Sequence, residues 1–257
     1  MKNIFSLILV TLFCILPVTV FAMENQENII NITEKYYKTT TIIIGGENSM
    51  NRSLNNNIVS KTEEITKEEY DDYNISSSSV MSTNDSTNFT IETTYKKMTT
   101  TISQNGTYYR YKVVLNWKNM PKIRSYDVIA IGHYASVKVN SGLNFTQKYC
   151  TSINDCTYSN SFTAKITDTG SGAVFKLPTG DFVSLSQTLY FDVQKATTAT
   201  VIRQEAVGDY AHAIKTVSKT NASQYDINLS GIYFNSSSIS SNFDSINPSI
   251  ATWTGTW

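Results

Sequence analysis

The residues of this chain best suited to proton transfer or metal binding are its two histidines and the acids near them. His212 lies in Asp209-Tyr210-Ala211-His212-Ala213, with Glu205 upstream. Imidazole and carboxylate in such proximity can bind a metal ion or begin an acid–base site. The plainer reading is a histidine at a strand edge. His133 shares a parity with Ile129, Ile131, Val137 and Val139, which indicates a buried, hydrogen-bonded ring. Asp168-Thr169-Gly170-Ser171 is the string in which aspartic proteases present a carboxylate. That chemistry needs two aspartates sharing a proton, and the chain holds no second Asp-Thr-Gly or Asp-Ser-Gly. Lys165 to Gly172 instead reads as a hairpin turn.

Other strings dissolve in the same way. Leu177-Pro178-Thr179-Gly180 lacks the residue between Pro and Thr that a sortase signal requires, and it is internal. Gly170-Ser171-Gly172 is followed by no Lys-Ser/Thr, so it is not a phosphate loop. Neither Gly-x-Ser-x-Gly nor His-Glu-x-x-His occurs. The residue types therefore assign no catalytic residue, no metal site and no cofactor.

Composition narrows the partners. The 257 residues carry equal numbers of basic and acidic side chains, 21 of each. A neutral chain is not held to nucleic acid by bulk charge. Only 16% of residues are charged, and Ser, Thr and Asn make up roughly a third of the chain. The segment before these residues reads as an export signal. Lys2 precedes an apolar run from Ile4 to Phe21, closed by Val20-Phe21-Ala22, a small-x-small cleavage pattern. Residues 1–22 are expected to be a cleaved signal peptide and the protein to be secreted. The alternative is a chain tethered to a membrane by residues 4–21, its one expected membrane contact. Cys14 follows bulky Phe13, which argues against lipid attachment there. In an oxidising compartment the mature cysteines Cys150 and Cys156, with five residues between them, should form a disulfide.

The elements that must position these groups are strands. Tyr36 to Ile44 reads as one, and Thr66 with Glu69 as the capping box of a short helix in the charged segment Lys61–Tyr73. The rest of 23–88 reads as irregular. From 89 the pattern is regular. Phe89–Ser103, an Asn105-Gly106 turn and Tyr108–Trp117 form a hairpin, with Tyr109, Tyr111, Val113, Leu115 and Trp117 on one parity. Val128–Ile131 is apolar on both parities, as in a central strand. Further strands are expected at Leu143–Tyr149, Phe162–Thr167, Ala173–Leu177, Thr188–Val193, Thr198–Gln204, Ala211–Val217, Tyr225–Leu229 and Ile232–Phe234. Many short strands separated by turns indicate an all-β antiparallel sandwich over 89–257, jelly-roll or Ig-like.

Three blocks carry a resemblance. Val113 to Ile129, Gly172 to Pro178 and Tyr210-Ala211-His212-Ala213 resemble recurring blocks in uncharacterised exported β-rich proteins of Gram-positive bacteria. Together they span roughly residues 90–235. The resemblance implies an exported compartment and one domain over most of the mature chain. It carries over no activity and no catalytic residue, but it marks Trp117, Arg124, Asp127 and His212 as the first positions to test.

Three functions remain open from sequence. The first is a non-catalytic binding or interaction module for a surface glycan or protein, with Tyr108, Tyr158, Trp253 and Trp257 as candidate anchors. The second is a β-pore-forming toxin using the Ser/Thr-rich span Asn74–Ser103, where alternation is diluted by Thr and Lys97. The third is a secreted hydrolase built on His212 with Glu205 or Asp209. The residues to test for any of them are His212, Glu205, Asp127 and Trp117.

Overall fold

The computed structural model describes residues 27–45, 57–73, 88–244 and 246–257. The leader expected over 1–22, and residues 46–56 and 74–87 of the region read as irregular, lie outside these residues. The first strands are β1 (Asn28–Gly45), β2 (Asn57–Ile65), β3 (Asn88–Asn105), β4 (Tyr108–Trp117), β5 (Tyr126–Gly132) and β6 (Val137–Val139). They are followed by β7 (Asn144–Cys150), β8 (Cys156–Ser159), β9 (Thr163–Thr167), β10 (Gly170–Lys176), β11 (Ser184–Lys195) and β12 (Arg203–Ala211). The chain ends with β13 (Tyr225–Asn228), β14 (Gly231–Phe234) and β15 (Ser249–Thr254). The short helices are α1 (Lys67–Asp72), α2 (Lys219–Ala222) and α3 (Ser237–Ser240).

These strands make two packed antiparallel sheets, an all-β sandwich-like fold. The larger sheet runs β2-β1-β3-β4-β11-β7-β8, with β6 also on β11. The smaller runs β15-β12-β5-β10-β9. Between them lies the main core, with Met98, Tyr111, Leu115 and Phe191 from one sheet against Ile129, Ile131, Phe175 and Tyr210 from the other. Each large apolar side chain buried there adds about 1.5–3 kcal/mol. The outer face of the smaller sheet is also covered. Val128, Ala130 and Val174 pack there against Tyr225, Ile227, Ile239 and Phe243 from the β13–β14 hairpin and the helices. That second layer explains why Val128–Ile131 is apolar on both parities: β5 is the middle strand and is buried on both faces.

The division expected at residue 88 is not a structural boundary. β1 pairs with β3 from Asn28↔Gln104 to Gly45↔Asn88, so the N-terminal strand belongs to the large sheet, and Tyr37 is part of its core. The expected helix is present: Thr66 caps α1, its hydroxyl accepting from the Glu69 N–H at 3.1 Å. The first half of the charged segment is strand β2 instead. The hairpin turn falls at Gly106-Thr107, one residue later than the Asn-Gly pair, because Asn105 faces Tyr108 in the ladder and Gly106 supplies the positive φ of +63°. Asp168-Thr169 is the expected tight turn between β9 and β10.

One revision matters for the site. Strands were expected at Thr198–Gln204 and Ala211–Val217, with Gly208-Asp209 between them. The single strand β12 runs through Gly208 instead. A Cβ at 208 would lie 2.2 Å from the Thr100 hydroxyl and 2.8 Å from a Val113 methyl. Glycine is there to let the two sheets approach, not to turn the chain. Cys150 and Cys156 face each other in the β7–β8 ladder and are joined by a disulfide.

Candidate functional site

Three of the four sequence-selected residues converge at one end of the layer between the sheets. β5 carries Asp127 one residue in from its start, β4 ends on Trp117, and His212 follows β12 directly. Asp127 is fully buried and His212 is 4% exposed. The His212 Nδ1 lies 2.9 Å from Asp127 Oδ2. The Tyr210 hydroxyl donates to the same oxygen, and the Ala213 N–H donates to Oδ1 at 2.9 Å. Burial, and after it the Asp127 charge, holds the Tyr210 hydroxyl well above the usual phenol range. The Trp117 ring meets the His212 ring edge-on at 5.0 Å, and its Nε1–H donates to Gln187 at 3.2 Å.

A second buried pair adjoins this one. Lys96, on the core-facing parity of β3 with Met98 and Ile102, is fully buried. Its Nζ is 2.5 Å from Asp244 Oδ2 and 5.0 Å from the centre of the Trp117 ring. Asp244 Oδ1 accepts the His212 N–H at 2.8 Å, and the Asp244 N–H donates to the His212 carbonyl at the same distance. Thr39, from β1, approaches Asp244 Oδ2 at 3.4 Å. His212 is thus tied by its ring to Asp127 and by its backbone to Asp244.

Asp209 stands on the other face of β12. It accepts the Tyr210 N–H at 2.7 Å and the Ile232 N–H at 2.6 Å. Gly231 passes so close that a Cβ there would lie 2.2 Å from Asp209 Oδ2. Burial raises the Asp209 carboxyl to about 7, against the lowering effect of its two N–H donors and with a further push from Asp244. Beside Asp209 and Asp244 opens a cavity of about 410 Å3 whose wall includes Phe234, Phe243, Tyr233, Ser230 and Ser240.

The remaining candidates lie elsewhere. Glu205 is seven residues before His212 on β12, about 20 Å away at the rise of a strand. It accepts from the Tyr134 hydroxyl at 3.1 Å and pairs with Arg203. The structure therefore does not bring Glu205 to His212. Arg124 clamps loops, donating to the carbonyls of Pro121, Pro178 and Gly180. His133 is fully buried, with Nδ1 3.0 Å from the Tyr134 carbonyl, and burial lowers its pKa. Trp253 and Trp257 pack on Tyr109, whereas Tyr158 is 63% exposed. Of the Ser/Thr-rich span, the described part is β3, an interior strand between β1 and β4.

An aspartate on the Nδ1 side of a histidine is the orienting half of an acid–base pair. Here Asp127 is fully buried, His212 is 4% exposed, and the carboxylate accepts from three protein donors. Among the described residues no group of three or more His, Cys, Asp or Glu side chains converges as a metal site. Sequence reasoning missed Lys96 and Asp244. The parity of Lys96 with Met98 and Ile102 was the available signal for the first, while Asp244 sits in a Ser/Asn-rich loop without periodicity. No protein-family model matches the chain, and no curated protein matches its sequence.

Proposed function

We propose that this chain is an exported, non-catalytic binding module whose recognition site is the cavity beside Asp209 and Asp244. The observation that carries the reading is the contrast between two neighbouring features. In the His212–Asp127 assembly the carboxylate is fully buried and accepts from three of the protein's own groups, and the His212 side chain is only 6% exposed. The adjoining cavity is open and about 410 Å3 in volume, within the size range of small-molecule sites, and its wall brings Phe234, Phe243 and Tyr233 together with Asp209, Asp244, Ser230 and Ser240. The Cys150–Cys156 disulfide and the apolar leader over 4–21 support export, as does the likeness to exported Gram-positive proteins. Among the described residues no helix is long and apolar enough to cross a membrane.

The test is capture of surface polymer. The mature chain, from Met23 onward, is presented to a glycan array and to insoluble cell-wall material, beside Ser240→Trp, which places an indole at the cavity mouth. Saturable capture by the parent chain, weakened at least tenfold in Ser240→Trp, is the expected result. No capture on either surface, or equal capture by the two chains, overturns the proposal.

A further inference from the structure

If the cavity is the recognition site, the chemistry of its wall narrows what it takes. Asp209 and Asp244 form part of the wall, each 5% exposed. Phe234 and Phe243 stack beside them with ring centres 4.2 Å apart. Tyr233 stands at 48% exposure, and Ser230 and Ser240 complete the polar part of the lining.

The buried charge at this place is unbalanced. Three carboxylates lie within a few bonds of one another along the network: Asp127, Asp209 and Asp244. Lys96 is paired with Asp244, and His212 faces Asp127. Asp209 is held by two backbone N–H groups, and the charged group acting on it most strongly is Asp244, a second carboxylate. A carboxylate buried without a counter-charge is costly, and the cost is relieved by a proton or by a cation. The cavity lies where such a cation would stand, against Asp209.

The kind of cation follows from the rest of the wall. Divalent metals are held by several oxygen or nitrogen ligands, and no group of three or more His, Cys, Asp or Glu side chains converges among the described residues. Aromatic faces beside a carboxylate suit a cation that carries carbon: the ring quadrupole attracts the charge while the ring surface covers the methylenes. The volume of about 410 Å3 admits a small organic group. We propose that the cavity binds an alkylammonium group, with its charge against Asp209 and its carbon against Phe234 and Phe243.

The experiment is calorimetric titration of the mature chain with n-butylammonium chloride, with n-butanol as the neutral isostere and potassium chloride as the salt control. Saturable binding of n-butylammonium, at least tenfold tighter than n-butanol and absent for potassium, is expected. Asp209→Asn should weaken it at least tenfold, and Ser240→Trp should abolish it. Should Asp209→Asn fail to fold, the comparison of n-butylammonium with n-butanol decides alone. Equal binding of the two probes, no binding of n-butylammonium at millimolar concentration, or binding indifferent to Ser240→Trp overturns the assignment. The wider reading is judged separately: polymer capture that is lost in Ser240→Trp while n-butylammonium fails to bind sinks the cation assignment and leaves the cavity as the recognition site.

Discussion

Replacing Asp127 separates a structural network from an idle one. Its carboxylate accepts from three groups: the Tyr210 hydroxyl, the His212 ring and the Ala213 N–H. All three lie in the interior, where a donor left without an acceptor costs about 1–3 kcal/mol. The Tyr210 hydroxyl can rotate to reduce its share, so Asp127→Ala should destabilise by about 3–6 kcal/mol. For a domain of this size that is a fall in Tm of about 10–20 °C. Asp127→Asn should behave differently. Its amide oxygen can keep the Ala213 N–H, while its NH2 group donates to a turned Tyr210 oxygen and to His212 Nδ1 in the opposite tautomer. The loss should then be about 1–2 kcal/mol. Urea denaturation of the three proteins, followed by far-UV circular dichroism, measures both differences. A loss below about 1 kcal/mol in Asp127→Ala would refute the reasoning, and so would an Asn variant as unstable as the Ala variant.

Other consequences can be checked on the same protein. The Asp209 carboxyl, raised by burial to about 7 from an ordinary 3.8, keeps its proton in the folded chain after the unfolded chain has released it. Stability should therefore fall as pH rises between about 4 and 7, by up to about 4 kcal/mol. Denaturation at pH 5 and pH 8 should show a flatter dependence in Asp209→Asn than in the parent, and equal slopes would contradict the burial argument. Breaking the Cys150–Cys156 bond by paired Ser substitution should cost about 2 kcal/mol, the share of so short a loop, with unchanged far-UV spectra. Glu205→Gln should cost less than about 1 kcal/mol, since the partner Arg203 is 58% exposed and surface ion pairs contribute little; a larger Tm loss would show a role that the Tyr134 and Arg203 contacts do not explain.

Strand alternation made much of the sandwich readable. Tyr111, Val113, Leu115 and Trp117 share a parity and are all buried, and the two-sided apolar run at Val128–Ile131 marks the middle strand of the smaller sheet. β1 was legible only over its Thr/Ile half, since Asn28 to Lys35 mixes polar and apolar residues without alternation. The expected strands Thr198–Gln204 and Ala211–Val217 leave out Gly208, because glycine weakens a strand pattern and only the Thr100 and Val113 contacts show that here it serves close approach between the sheets. Trp117, Asp127 and His212 could be selected from sequence, but not their shared location. Lys96 is a residue type seldom buried, so only its shared parity with Met98 and Ile102 pointed inward. Asp244 was hidden by a loop of small polar residues whose position no local pattern sets.

The claim that recognition belongs to the cavity while His212 belongs to the framework is tested most directly by His212→Asn. The asparagine NH2 group stands near the place of the ring Nδ1–H and can still donate to Asp127. Surface-polymer capture by the folded variant, measured beside the parent chain, should match the parent within about twofold, which is below 0.5 kcal/mol of binding free energy. Capture lost in a variant whose circular dichroism and Tm stay at parental values would contradict the account and make His212 itself the functional group.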